Sequence, residues 1–197
     1  MWKAHPLTEA LRYGRAMRLP AVLAVTLAVL VVSGCGSPDP VVVPEPESTS
    51  TPLFASDEEA LAAAEEAYAA YLAVSDQILA EGGANPERAY AFLTENMRAE
   101  EAEGVQLYVD SGWHSQGNTS FDSVVLQQFV AEPDSANLTV YLCIDVSNLR
   151  ILNTSGVDVT PEMRPNRLPL ELEFIAEASA TMKLERSDLW SGEDFCS

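Results

Sequence analysis

Positive charge is scarce in this chain, and the shortage sets its first limits. Eleven Lys and Arg stand against 30 Asp and Glu, for a formal charge of −19, and lysine occurs only at Lys3 and Lys183. A field of that sign repels phosphate, which excludes nucleic acid as a partner. Histidine is scarcer still: of two, only His114 lies past residue 5. One imidazole supplies a single ligand where zinc takes three or four, and it builds no Ser-His-Asp triad without a serine and an acid that spacing does not identify. The three cysteines, Cys35, Cys143 and Cys196, include no C-x-x-C pair, so the usual redox motif is missing. Glycine-rich phosphate loops, G-x-S-x-G elbows and metal-ligand spacings are missing too, and nothing calls for a cofactor.

One long apolar run dominates, Leu19 to Cys35, LPAVLAVTLAVLVVSGC. Lys3, Arg12, Arg15 and Arg18 precede it, its core spans Leu19 to Val32, and the small pair Ser33-Gly34 leads into Cys35. That is the three-part layout of a secretory signal, with a core too short to span a bilayer comfortably. Val32-Ser33-Gly34-Cys35 resembles the bacterial lipobox. The resemblance implies a lipoprotein signal peptide over 1–34, cleavage before Cys35, and a diacylglycerol with palmitate-type chains on its sulfur. Each buried methylene contributes about 0.8 kcal/mol, so two or three chains anchor stably where one is marginal. The expected location is the outer face of the cell membrane, reached through the lipid at Cys35. A soluble secreted protein and a signal anchor are the other readings of the run. Met17-Arg18 also begins a well-formed signal, so translation starts at Met1 or Met17 with the same mature chain.

Removing 1–34 sharpens the charge imbalance. The leader holds four of the eleven bases and one of the thirty acids (Glu9), leaving seven against 29 and a formal charge of −22. With Cys35 taken by lipid, Cys143 and Cys196 remain as a pair outside the cytoplasm, where a disulfide persists. Two free thiols are the alternative; a structural bridge is the favoured reading.

Residues 35–55 read as a Pro-rich tether, because GSPDPVVVPEPESTSTPLF has five prolines and no hydrophobic period. The folded domain is expected over 56–197. Ser56-Asp57-Glu58-Glu59 fits a capping box, and Leu61, Ala64, Tyr68, Tyr71, Leu72, Ile78 and Leu79 follow near helical spacing until Gly82-Gly83. Asn85-Pro86 and Thr94-Glu95 look like two further starts, for helices over 86–93 and 95–111. Strands are expected at Trp113 to Gly117, at Phe121 to Ala131 with imperfect alternation, at Leu138 to Ser147, at Leu168 to Ile175 and at Thr181 to Ser187. Asn148 to Arg167 reads as turns. Helices first and antiparallel strands after is the pattern of α+β.

That order resembles the cone-shaped α+β fold of the nuclear-transport-factor-2-like (NTF2-like) superfamily, with helices packed on a curved antiparallel sheet. Within it, VYLCIDVSN at 140–148, RPNRLPLELEF at 164–174 and RSDLWSGEDFC at 186–196 resemble actinobacterial lipoproteins of the cell envelope. The resemblance implies that Cys143 and Cys196 pair. It implies no chemistry, because that superfamily carries both enzymes and binding modules.

Two residues are candidates for catalysis. Asp145 shares a strand face with Tyr141 and Cys143; if that face lined the cone, desolvation would raise its pKa and suit it to act as a general base. The bland reading is an acid bonded to a neighbouring strand or loop. His114, beside Trp113, is a rim or surface residue in its bland reading. The acid runs Asp57-Glu58-Glu59 and Glu100-Glu101-Glu103 lack the ligand alternation of a calcium loop and read as solvated helix faces. Tyr68, Tyr71, Tyr90, Phe92, Tyr108 and Trp190 either line a small-molecule cone or form core. The expectation is a non-catalytic module binding a small apolar ligand or an envelope protein partner; the alternative is an isomerase- or hydratase-like enzyme using Asp145.

Overall fold

The computed structural model describes residues 52–178 and 180–196, so the expected signal peptide, Cys35 and most of the expected tether lie outside the described residues. The first helix starts at its cap. Ser56 Oγ accepts from Glu59 N–H at 3.3 Å, and the Glu59 carboxylate accepts from Ala55 N–H at 2.7 Å, one residue ahead of the amide a capping box would use. With three acids against the positive helix end, α1 runs over Asp57–Ala80. Its buried side is Ala60, Ala64, Tyr68, Tyr71, Leu72 and Ile78. Leu53 and Phe54, read above as the end of the tether, are half-buried and pack on the same core.

The segment expected as a second helix is a 3-10 helix instead, Pro86–Phe92. Asn85 sits at φ +53° and makes no side-chain cap bond, so nothing locks the first turn into α geometry. The next helix is capped: Thr94 Oγ1 accepts from Met97 N–H at 3.5 Å, and α2 covers Glu95–Ser111.

Six strands follow: β1 His114–Gln116, β2 Ser120–Ala131, β3 Ser135–Asp145, β4 Arg150–Leu152, β5 Arg167–Glu177 and β6 Ala180–Leu189. β2, β3, β5 and β6 form one antiparallel sheet in that order, while β1 and β4 pair as a separate ribbon. β4 lies inside the stretch expected as turns, because three residues are too few to show a period. The imperfect alternation of β2 also has a cause. Two register shifts interrupt its pairing, between Asp122 and Val125 and between Leu126 and Gln128, with Ser123 at φ +56°. Each bulge resets the side-chain phase, so Phe121, Val124, Leu126 and Phe129 all pack against the core despite uneven spacing.

Gly117 joins the ribbon to the sheet. Its φ is +101°, and a Cβ there would sit 1.9 Å from the Asn148 carbonyl oxygen, so only glycine fits.

The architecture is therefore α+β, with helices on one face of an antiparallel sheet that does not close into a barrel among the described residues. Leu138, Val140 and Leu142 of β3, Leu170, Leu172 and Phe174 of β5, and Met182 and Leu184 of β6 are buried with the inner stripe of α1. Tyr68 meets Phe121 and Phe174 edge-on, at 5.2 and 6.4 Å between ring centres. The other face carries the C-terminal tail. Cys143 and Cys196 are joined by a disulfide with Cα atoms 5.5 Å apart, and Trp190 and Phe195 pack on Tyr141 at 4.6 and 6.1 Å. Gly192 permits the turn, since a Cβ would lie 2.5 Å from the Trp190 indole.

Candidate functional site

A cleft with room for a ligand and mainly apolar walls lies where four pieces of chain meet. α1 presents Ala63, Ala67 and Ala70 toward the β5–β6 hairpin, which answers with Ala176, Thr181 and Met182. Leu53 and Phe54 close one side, with Phe54 edge-on to Phe129 at 6.1 Å, and Phe92 closes another. The three alanines fall on one side of the helix, at i, i+4 and i+7, and their lack of bulk leaves a cleft of about 390 Å³. Its walls are predominantly apolar; Glu66 and Glu177 are the charged residues that line it. A space of that size and lining suits a small apolar molecule.

Of the aromatic residues singled out from the sequence, Phe92 lines the cleft. Tyr68 and Tyr71 are core, and burial raises both phenol pKa values well above their ordinary range, with Glu101 adding to it. Tyr71 Oη donates to the Glu101 carboxylate at 2.7 Å and Ser75 Oγ donates to it at 3.2 Å. Glu101 thus departs from the expectation of a solvated acid face: it is half-buried and receives two hydroxyls. Tyr90 lies under the Arg98 guanidinium at 5.5 Å, Tyr108 meets Trp113 edge-on at 5.9 Å, and Trp190 belongs to the outer face.

The two catalytic candidates stand elsewhere. Asp145 ends β3 and lies opposite Arg167 of β5 in the ladder, with Arg167 Nη1 3.5 Å from its carboxylate. Ser147, through its side chain and its backbone N–H, holds the Asp145 pKa below the ordinary value, and Arg167 adds to this. The direction is opposite to what a general base tuned toward neutral pH needs. His114 sits on β1, half-buried, opposite Leu152. Neither residue lines the cleft.

Arg167 organises this corner of the outer face. It makes a bidentate pair with Asp122, both bonds at 2.7 Å, and its Nε donates to the Cys196 carbonyl at 3.0 Å, tying β2, β5 and the tail together. The Asp122 pKa is drawn from 3.8 to about 2, chiefly by the hydrogen bonds from Arg167. A carboxylate with a depressed folded-state pKa contributes stability present above its unfolded pKa, and lost as pH falls through the folded value. Arg167→Gln is accordingly expected to flatten the acid limb of the stability curve between pH 4 and 2, read by urea denaturation at several pH values. An unchanged limb would remove Arg167 as its cause.

The cleft residues that sequence reasoning missed are Leu53, Phe54 and the alanine stripe. The i, i+4, i+7 spacing of Ala63, Ala67 and Ala70 was the available signal, but an alanine-rich helix offers several such stripes.

No family model matches the chain, and no curated protein matches it. Among solved structures, the intermembrane-space region of the chloroplast protein ARC6 superposes with a TM-score of 0.48 at 11% identity, covering 67% of this chain and 97% of that one. A protein from Catenulispora acidiphila, solved in complex with S-DNPA, superposes with a TM-score of 0.40 at 12% identity, covering 65% of this chain and 92% of that one. Scores below 0.5 at such identities carry no argument about what this chain does.

Proposed function

We propose that the chain is a lipoprotein, anchored through Cys35 at the outer face of the cell membrane, whose NTF2-like domain holds a small apolar ligand in the cleft between α1 and the β5–β6 hairpin. The observation that carries this reading is the cleft of about 390 Å³, walled by Phe54, Ala63, Ala67, Phe92 and Met182. Apolar walls supply affinity without chemistry, and Glu66 and Glu177 are its polar contribution. The role is binding and not catalysis: the acid candidate Asp145 is paired with Arg167 on the other side of the sheet. An envelope protein inserting an apolar side chain into the same cleft is the second form of the same reading.

Thermal denaturation in the presence of a panel of alkyl and aromatic compounds tests it. Ligand at 100 times its dissociation constant stabilises by about 2.7 kcal/mol, a shift of several degrees for a domain of this size. A panel that leaves the midpoint flat, together with no protein captured by crosslinking in membranes, would contradict both forms.

A further inference from the structure

The cleft between α1 and the β5–β6 hairpin carries charge of one sign. In the stripe that α1 turns toward it, Glu66 stands at i+3 between Ala63 at i and Ala67 at i+4, so one carboxylate is set among the alanines. Glu177, the last residue of β5, brings a second from the facing wall. Both acids are exposed, whereas Phe54 and Phe92 are half-buried and Met182 is buried. The carboxylates therefore mark the mouth of the cleft, and the apolar groups its depth.

No base of the chain neutralises them. Seven follow the expected leader, and the six arginines among them are engaged elsewhere. Arg88 pairs with Glu81, Arg150 with Asp158, Arg167 with Asp122 and Asp145, and Arg186 with Glu171, Glu173 and Asp188, while Arg98 and Arg164 donate to backbone carbonyls. None of the six lines the cleft. The seventh, Lys183, lines the neighbouring groove with Glu95 and Glu177. Neither Glu66 nor Glu177 takes part in an ion pair among the described residues. On the outer face, by contrast, three crowded carboxylates converge on Arg186.

We propose that the ligand of the cleft is a cationic amphiphile, with an apolar body against Phe54, Phe92 and Met182 and a protonated amine at the mouth beside Glu66 and Glu177. The proposal rests on the reading of the cleft as an apolar-ligand site and names the ligand's polar end. A fatty acid or a phosphate-bearing lipid would bring its negative head to the same two carboxylates, and the balance of seven bases against 29 acids beyond the leader adds to the repulsion. A neutral molecule fills the walls and leaves both acids without a counter-charge. An ammonium group gains from both. Lys183 weakens the pull at Glu177, which makes Glu66 the stronger determinant.

Calorimetric titration of the full chain in phosphatidylcholine vesicles, against vesicles without protein, tests this with three water-soluble compounds of one body: 4-phenylbutylamine, 4-phenylbutanol and 4-phenylbutyrate. At low ionic strength the amine is expected to bind about tenfold tighter than the alcohol, and the carboxylate weakest, with the advantage of the amine shrinking as salt is added. Glu66→Gln is expected to lower the ratio of amine to alcohol affinity about threefold, and Glu66→Gln with Glu177→Gln to bring it to about one. Both positions are exposed and the replacements keep side-chain shape, and an unchanged near-ultraviolet circular dichroism spectrum checks the fold. Alcohol and amine binding equally in the parent overturns the proposal while leaving an apolar cleft. An amine preference that survives the double replacement also overturns it, because the cation is then held elsewhere on the acidic surface. Binding of none of the three overturns the proposal together with the reading of the cleft on which it rests.

Discussion

Replacing Cys143 and Cys196 together by alanine is expected to lower the unfolding free energy by about 4 kcal/mol, from the loop-closure entropy returned to the unfolded chain. The bridge spans 53 residues of sequence, so its removal frees a long loop. It also frees the tail. Trp190 and Phe195 are held against Tyr141 by a chain end that the disulfide and the Arg167 bond to the Cys196 carbonyl both tie down. The double alanine variant is preferable to single serine variants, because Cys143 is fully buried and a serine there would bury an unpaired hydroxyl. Urea denaturation followed by tryptophan fluorescence reads both effects: a lower midpoint, and a native signal altered by a looser Trp190. A loss below about 1 kcal/mol would mean that the tail's own contacts hold it and that the unfolded chain gains little from release.

Phe174→Ala is expected to cost about 3–5 kcal/mol, the range for emptying a large buried aromatic site. Phe174 is 2% exposed at the centre of the inner face, under Tyr68, where α1 and the sheet meet. Domains of this kind have about 5–15 kcal/mol in total, so the variant approaches the limit of folding. Val125→Ala, on the exposed face of the edge strand, serves as the comparison and is expected within about 0.5 kcal/mol of the parent. Comparable losses at both positions would show that the core does not lie between α1 and β5.

What could be read from the residues divides along a physical line. Local signals carried: Ser56 and Thr94 cap their helices, Gly82-Gly83 ends α1, and Leu138, Val140 and Leu142 point inward as their alternation says. These depend on neighbours in sequence. Asn85-Pro86 carries the signature of a helix start, yet no cap bond forms and a 3-10 segment results. β2 hid its register because bulges at two points break a period of two, and β4 was too short to have a period. The cleft was least legible of all, since its walls come from Leu53 at one end of the domain and Met182 near the other, and from alanines whose contribution is the volume they leave empty. Asp145 shows the same division. Its strand and facing were legible, but the partner that fixes its charge, Arg167, comes from a strand across the ladder.

Titration with an apolar fluorescent probe, in the parent and in Ala67→Trp, tests most directly whether this domain binds an apolar ligand in the cleft. Ala67 lines the cleft and lies outside the fully buried stripe of α1, so an indole there is expected to take up cleft volume. The account predicts saturable binding at one site per chain in the parent, and a loss of at least tenfold in affinity in Ala67→Trp with an unchanged thermal midpoint, since a filled pocket forfeits roughly 1.4 kcal/mol or more of contact. Equal binding by both proteins would place the apolar site elsewhere and contradict it.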